Sequence, residues 1–267
     1  MNCKNCTLSI QTHHNFCPHC GAKVIRKRLT IKALFSHFSE QFLNYDNKFF
    51  QTFIQLFTKP EKVIGCYING TRKKYVNVIS YFAIALTITG LEWYLLNKFF
   101  PHVIDMSAIA AKGTEVAAND GVKMIQEYAS IVLMLFVPVY ALMSRIVFFN
   151  IKKFNYTEHL VIFMYVIAQI SIFGTLVNLI GAVFGIPLGI LVYINGPFQI
   201  LFSAYCLKRL YNLSLTGIFL RTLLFLVVLV VLFILSTIIY LIVMILYYGG
   251  LEEFVKAQKT AIEASGS

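Results

Sequence analysis

Four cysteines near the start of the chain have the residue type and the spacing for metal chemistry. Cys3 and Cys6 form one C-x-x-C pair, Cys17 and Cys20 form a second, and ten residues separate the two pairs. Each pair can present two thiolates from one tight turn, so two such turns can surround a tetrahedral ion at about 2.3 Å. The pattern predicts a structural Zn²⁺ site in a small zinc ribbon over residues 1–22. So short a segment needs the metal because it cannot bury a sufficient core.

Three other arrangements use the same residues: a disulfide pair, a redox dithiol and a rubredoxin-like iron site. The charge distribution described below predicts a reducing compartment for this end of the chain, which disfavours a disulfide. Four sulfur ligands leave no open position on a tetrahedral ion, so a structural metal is favoured over a catalytic one. The redox and iron alternatives stay open.

The elements that must carry this head are apolar helices. Hydrophobic residues make up 58% of the chain and charged residues only 13%, against about 25% charged in soluble domains. Residues 160–207 contain no Asp, Glu, Lys, Arg or His, and this length suits two spans of about 20 residues. We predict an all-α integral membrane protein with five transmembrane helices. The predicted spans are 76–99, 128–149, 159–186, 188–207 and 222–248, followed by a tail at 249–267.

Residues 23–75 are basic and rich in phenylalanine. Apolar residues recur at helical spacing in 31–42 and 49–57, and Pro60 begins a further short helix that ends near Gly70. We predict cytosolic amphipathic helices here, whose apolar faces either lie in the membrane interface or pack on the ribbon or the spans. The basic residues are predicted to contact anionic lipid at the membrane surface. They are Lys23, Arg26, Lys27, Arg28, Arg72, Lys73 and Lys74.

The distribution of charge predicts the orientation in the membrane. Residues 1–75 hold twelve Lys or Arg and three Asp or Glu, a net charge of +9. Residues 145–158 and 208–221 are also basic, whereas residues 76–144 are weakly acidic and residues 160–207 carry no charged side chain. This alternation predicts a cytoplasmic N-terminus and an external C-terminus. The first residues do not form a cleavable signal peptide, so the first span is expected to direct insertion. Because the basic block directly precedes a span, membrane is favoured over nucleic acid as its partner.

Polar residues inside the predicted spans are the remaining candidates for chemistry. A carboxylate such as Glu92 is a functional candidate by type, although its place beside Trp93 also fits a side chain that reaches headgroup water. The amides either join helices by hydrogen bonds or line a transport path. Thr157 is predicted to cap the third span. The candidates for a role inside the membrane are Glu92, Glu158, His159, Asn178, Asn195 and Gln199.

Several segments resemble one family. They are the two cysteine pairs, the 52–60 segment that ends in Lys-Pro, the run from Tyr67 to Tyr75, and Thr157-Glu158-His159. Together they resemble the bacterial domain-of-unknown-function 3667 family. This resemblance implies a bacterial inner-membrane protein and no agreed activity. The five-span body is similar to Yip-type membrane proteins, which implies a role in membrane organisation or trafficking by analogy alone.

Three classes of function fit these features. The sequence favours a non-enzymatic membrane adaptor or scaffold, whose zinc ribbon and amphipathic helices contact a protein partner or the inner leaflet. The alternative is a transporter or channel for a small solute or lipid, which would use the polar groups in the spans. An enzyme is the least favoured class, because the chain has no H-E-x-x-H, no G-x-S-x-G and no phosphate-binding glycine loop.

Overall fold

The computed structural model describes residues 2–11, 13–22, 24, 48–105 and 126–247. The chain divides into two compact units, Met1–Phe49 and Phe50–Ser267. The predicted helix at 31–42, the tail, most of the loop after the first span, and the cations Lys23, Arg26, Lys27 and Arg28 lie outside the described residues. The described part of the chain contains helices and turns but no named strand.

Seven α-helices lie in the described ranges, and all but the first two residues of α1 belong to the second unit. Five of them, α3 to α7, are long and apolar enough to cross a membrane, as the sequence predicted. A short 3₁₀ turn, Pro101–Val103, follows the first of these five. The helices are α1 (Lys48–Thr58), α2 (Pro60–Ile68), α3 (Val78–Phe99), α4 (Ala129–Val147), α5 (Tyr156–Val183), α6 (Leu188–Tyr211) and α7 (Leu215–Tyr247).

The helix ends follow from local chemistry. Asn77 caps α3 by accepting a hydrogen bond from the backbone N–H of Ile79. Asn155 caps α5. Its side chain accepts from the backbone N–H of Glu158, and the Glu158 side chain accepts from the backbone N–H of Asn155. The predicted cap at Thr157 was therefore wrong, because the amide side chain two residues earlier occupies that role. Asn212 ends α6 in the left-handed conformation, with a φ of 55°.

The helix α5 forms the centre of the bundle and packs against α3, α4 and α6. Half of its most apolar window is buried inside the protein, whereas no described side chain in the corresponding window of α7 is buried. The hydroxyl of Tyr165 on α5 donates to the carbonyl of Val76, just before α3. The last span, α7, is held at its start by Arg221, which donates to the carbonyl of Val147 at 2.9 Å.

The spans alternate in direction, so the bundle has two chemically different ends. At one end, which we call the basic end, Lys153 before α5 donates to the carbonyl of Leu210 on α6 at 2.6 Å. At the opposite end an apolar cluster closes the bundle. It contains Leu96, Val103, Ala182, Leu188 and Leu191.

The short helices α1 and α2 pack on the spans. The amide of Gln169 on α5 donates to the carbonyl of Phe53 at 3.0 Å, and the hydroxyl of Tyr205 on α6 donates to that of Thr58 at 2.9 Å. The Phe57 ring contacts three phenylalanine rings of α5 and α6. Phe50 and Ile54 on α1 remain 59% and 57% exposed. The sequence left open whether the amphipathic helices lie in the membrane interface or pack on the protein. The buried faces of α1 and α2 pack on the spans.

Candidate metal centre and buried polar cluster

The two cysteine pairs lie on turns with the same backbone hydrogen bonds. In each turn the first cysteine donates its N–H to the carbonyl five residues later and accepts at its own carbonyl from the N–H four residues later. The repeated pattern presents both sulfur atoms of a pair on the same side of its turn. The four bonds are Cys3 to Leu8, Thr7 to Cys3, Cys17 to Ala22 and Gly21 to Cys17, at 2.8 to 2.9 Å.

The residue after each pair takes a positive φ, 60° at Thr7 and 70° at Gly21. Glycine adopts this conformation at little cost, whereas a side chain in the left-handed region costs about 1–2 kcal/mol. Thr7 partly compensates because its hydroxyl donates to the carbonyl of Cys6 at 2.7 Å. The positive φ explains why glycine suits the position after each pair.

The four sulfur atoms lie close enough to bind one metal ion. The Sγ atoms of Cys3 and Cys20 are 3.6 Å apart, as are those of Cys6 and Cys17, and all four lie within 4.8 Å of one another. A tetrahedron with metal–sulfur distances of 2.3 Å has edges of about 3.8 Å, whereas a disulfide needs about 2.05 Å. All six cysteines of the chain are free thiols. The donor set therefore fits a tetrahedral thiolate site.

Hydrogen bonds prepare part of this set for metal binding by favouring thiolates. The Asn5 side chain and the Ala22 backbone lower the pKa of Cys20 to about 6. The backbone amides of Asn5 and Cys6 lower the pKa of Cys3. At Cys6 the backbone of Leu8 also lowers the pKa, but desolvation and the neighbouring thiols outweigh it and raise the value to about 12. The four thiols therefore do not lose their protons independently, and a cation among them would favour all four thiolates.

A second group of polar side chains lies in the bundle, and Glu92 is at its centre. The side chain of Glu92 on α3 is 4% exposed. Its Oε2 accepts from the Thr175 hydroxyl at 2.5 Å, and its Oε1 accepts from the Asn178 amide at 2.7 Å, both on α5. Asn195 on α6 donates its amide to the Asn178 Oδ1 at 2.9 Å. We call these four residues the Glu92 cluster.

The structure differs from the interpretation in which Glu92 reaches headgroup water. Glu92 lies seven residues before the end of α3, and Asn195 lies seven residues after the start of α6. At 1.5 Å per residue, both positions are about 10 Å from the helix ends. The carboxylate points toward α5 because Thr175 and Asn178 supply hydrogen-bond donors there. A position beside Trp93 in the sequence does not reveal this direction.

A cavity of about 280 Å³ adjoins the Glu92 cluster. It lies among α3, α4, α5 and α6, and Glu92 is the one carboxylate among the described residues that line it. The Oδ1 of Asn195 is buried without a hydrogen-bond partner in the described part of the chain. Hydroxyls of Thr89 and Ser171, 2.5 Å apart, also line the cavity. The lining of the cavity therefore combines apolar side chains with side chains that carry oxygen atoms.

The other polar candidates have local partners. Gln199 donates to the Tyr140 hydroxyl at 3.4 Å, beside the same cavity. His159 is fully buried, and its Nε2 lies 3.1 Å from the hydroxyl of Tyr211. Glu158 belongs to the N-terminal cap of α5. The structure thus brings Glu92, Asn178 and Asn195 together, places Gln199 nearby, and leaves Glu158 and His159 at the basic end.

Sequence reasoning did not select Thr175 of the cluster or the neighbouring hydroxyl residues Thr89 and Ser171. Ser171, Thr175 and Asn178 follow one another at spacings of four and three, so they share one face of α5. Thr89 and Glu92 share a face of α3 in the same way. A search for polar residues at helical spacing inside an apolar span would have found both sets. The pairing of the two faces required the tertiary structure.

Arg72, Lys73 and Lys74 are exposed on the segment that leads into α3. The Arg72 guanidinium lies 5.4 Å from the centre of the Tyr67 ring, and the Lys74 ammonium lies 5.5 Å from that of Tyr75. The aromatic rings hold the cations near the start of the span. Exposure of three adjacent cations is compatible with the predicted lipid contact, which stays a prediction.

Comparison with known families gives one match. Residues 46–90 match the family described as protein of unknown function (DUF3667). This DUF3667 segment covers all of α1 and α2, the three exposed cations and the first part of α3, and it ends just before Glu92. Searches of curated proteins and of solved structures found no match. The match supports the resemblance to this family, while the resemblance to Yip-type proteins has no support from the comparisons.

Proposed function

We propose that this protein is a non-enzymatic membrane adaptor, whose four-cysteine head holds a structural Zn²⁺ and binds a protein partner. The observation that carries the proposal is the cluster of four sulfur atoms, two pairs of which are 3.6 Å apart and all of which lie within 4.8 Å of one another. Four thiolates complete a tetrahedral ion, so no position remains for a substrate or an activated water. In this role Cys3, Cys6, Cys17 and Cys20 hold Zn²⁺, which folds the head and presents its surface to a partner.

The membrane part of the proposal rests on α3 to α7. Several described cations of helix ends and connections, among them Arg145, Lys153, Arg209 and Arg221, lie at the basic end, whereas Lys98 in the last turn of α3 lies at the opposite end. The excess of Lys and Arg at this end favours the cytoplasmic side, with the N-terminus inside and the C-terminus outside. A bacterial inner membrane is the location that the family resemblance favours. There, Arg72, Lys73 and Lys74 would contact anionic lipid headgroups.

The proposal is tested by affinity purification of the full chain in mild detergent. Three proteins are compared: the unchanged chain, the double variant Cys17→Ser/Cys20→Ser, and the control Cys66→Ser, whose thiol lies outside the cluster. Zinc, iron and copurifying proteins are quantified on each. We expect one zinc per chain and a specific partner in the unchanged chain and the control, and the loss of both in the double variant. Retention of the same partners after metal loss would contradict the adaptor function, and iron in place of zinc would change the metal.

The Glu92 cluster favours a second candidate, passage of a small solute through the bundle. Polar groups from three spans meet beside a cavity, which is the arrangement expected of a solute site between helices. Flux is measured in proteoliposomes for the unchanged chain, Asn195→Leu, and Asn97→Leu as an exposed control. Transport requires flux that Asn195→Leu abolishes and Asn97→Leu retains. No flux above protein-free liposomes across a panel of cationic, neutral and anionic solutes would remove this candidate.

A further inference from the structure

The hydrogen bonds of the Glu92 cluster all run in one direction. Asn195 donates to Asn178, and Asn178 and Thr175 donate to the two oxygens of Glu92. Both carboxylate oxygens therefore act as acceptors, which is the arrangement that favours an ionised carboxylate. The chain of amides directs its positive ends toward Glu92 and adds to that preference.

A charge in this position requires a counter-charge. Among the described residues no Lys, Arg or His forms an ion pair with Glu92. A buried ionised group without a partner is strongly unfavourable, above all inside a membrane. Hydrogen bonds from neutral amides and hydroxyls stabilise the anion but leave its net charge unbalanced. The charge is balanced either by a proton on Glu92 or by a cation in the adjoining cavity.

The cavity has the donors and the room for a cation. The Asn195 Oδ1 is buried and without a partner in the described ranges, although a protein oxygen in that state normally has one. Gly174 lies beside it, and a Cβ at that position would be 3.9 Å from this oxygen. The volume of about 280 Å³ exceeds the roughly 30 Å³ of one water molecule several-fold. A partly hydrated ion or a small organic cation therefore fits.

We infer that the cavity beside Glu92 binds a monovalent cation, either Na⁺ or the ammonium group of a small amine. One carboxylate surrounded by neutral oxygens matches a single positive charge. Divalent ions such as Ca²⁺ prefer more oxygen ligands and usually more than one carboxylate. We assign Glu92 and Asn195 as the residues that supply the oxygen ligands, and the hydroxyl residues Thr89 and Ser171 also line the cavity. This inference rests on neither proposed function, because a bound cation stabilises the bundle whether or not it is transported.

The test measures thermal unfolding of the purified full chain in detergent at constant pH and ionic strength. The salts are sodium chloride, methylammonium chloride and, as a cation too bulky for the site, N-methylglucamine chloride. We expect Na⁺ or methylammonium to raise the Tm by about 3–8 °C over N-methylglucamine at saturation. A rise with Na⁺ alone identifies the inorganic ion, and a rise with methylammonium alone identifies an amine. Equal Tm values in all three salts overturn the inference and assign a proton to Glu92.

Two variants with nearly unchanged volume make the test specific. Glu92→Gln removes the charge and should abolish the cation-dependent rise, whereas Glu127→Gln removes an exposed carboxylate and should retain it. A rise that persists in Glu92→Gln overturns the inference. If Glu92→Gln does not fold, the inference is tested on the unchanged chain by measuring the binding of ²²Na⁺ and its competition by methylammonium. In that assay Asn195→Leu should weaken binding at least about tenfold, and unchanged binding would contradict the assigned ligand. If the cation binds but no flux is measured, the transport function is refuted and the cation site is retained.

Discussion

The four cysteines and the Glu92 cluster both bring polar groups to one point, but over very different lengths of chain. Cys3 and Cys20 are 17 positions apart, whereas Glu92 is 83 and 86 positions from its partners Thr175 and Asn178. Two short turns suffice for the first site. The second exists only if three long helices pack in one register.

The two regions also differ in what stabilises them. Among the described residues around the cysteines, the buried cluster consists of Cys3, Ile10 and Cys17, which is too small to hold a fold without a metal. The bundle buries aromatic and aliphatic side chains over the whole length of α5. We therefore expect metal removal to affect only the first region and packing changes to affect only the second. The predictions below test this separation, from the largest expected effect to the smallest.

The largest effect is expected from loss of the metal. Chelation, or Cys17→Ser/Cys20→Ser, should unfold the cysteine region completely and leave the Tm of the bundle within about 1 °C, because no cohesive core remains without the ion. Acid should act similarly, since protons compete with the metal for the four thiolates as the pH falls. The measurements are the metal content, the protease sensitivity of the first unit and the Tm of the bundle in detergent.

Cys66→Ser is the control for this experiment because Cys66 lies outside the sulfur cluster. If metal removal lowered both the protease resistance of the first unit and the Tm of the bundle, the two regions would be energetically coupled. The separation proposed above would then be wrong.

A smaller effect is expected from Gln169→Leu in the bundle. Gln169 is fully buried, accepts from the Tyr81 hydroxyl and donates to the carbonyl of Phe53. The substitution removes both of these hydrogen bonds from a fully buried site, and each contributes about 0.5–1.5 kcal/mol. We expect the Tm of the bundle to fall by several degrees while the metal content stays unchanged.

The matched control is Gln199→Leu, whose hydrogen bond to Tyr140 is long at 3.4 Å. It should lower the Tm by less than Gln169→Leu does. An equal loss in both variants would mean that the docking of α1 on α5 contributes little to stability.

A third prediction concerns the two turns of the metal centre. Gly21→Ala should weaken metal retention several-fold, because a side chain at a φ of 70° is strained although no atom lies within 4 Å of the added Cβ. Thr7→Gly should strengthen retention by a smaller factor, because it removes strain and loses one hydroxyl hydrogen bond. Competition with a chromogenic chelator measures both.

Changes of the same sign in both variants would contradict the strain argument. The hydrogen bond from Thr7 to Cys6 can be tested alone with Thr7→Val. This variant keeps the branched side chain at positive φ and should retain metal less well than the unchanged chain.

The smallest effect is expected at the pair that joins α2 to α6. Arg209 donates to both oxygens of Glu61 at 2.7 and 3.0 Å, and these hydrogen bonds lower the pKa of Glu61. Because the folded pKa is the lower one, the pair stabilises the fold above the unfolded pKa of about 4.3 and loses this contribution as the pH falls through the folded value.

Both side chains are partly exposed, so the Tm difference between the unchanged chain and Glu61→Gln should be less than about 2 °C at pH 7. It should shrink at pH 3.5. A difference that grows on acidification would show that Glu61 acts through something other than its charge.

Local spacing explains which features were predictable. The cysteines predict a metal site because C-x-x-C places two sulfurs on one turn. The long apolar runs predict five spans because a bilayer sets their length. The cap of α5 was misplaced by two residues, since Asn155 and Thr157 are both suitable cap residues and only the path of the backbone selects one.

The sequence alone therefore determined the four cysteines that lie close enough to bind a metal ion, the number of long apolar helices and the basic segments at their ends, because each depends on neighbours within a few positions. The tertiary structure decided that Glu92 turns inward, that α1 packs on α5 and α6, and that an unpartnered oxygen of Asn195 borders a cavity. These features depend on the rotation and depth of helices relative to one another. Hydropathy does not encode that register, because apolar side chains surround nearly the whole circumference of each span.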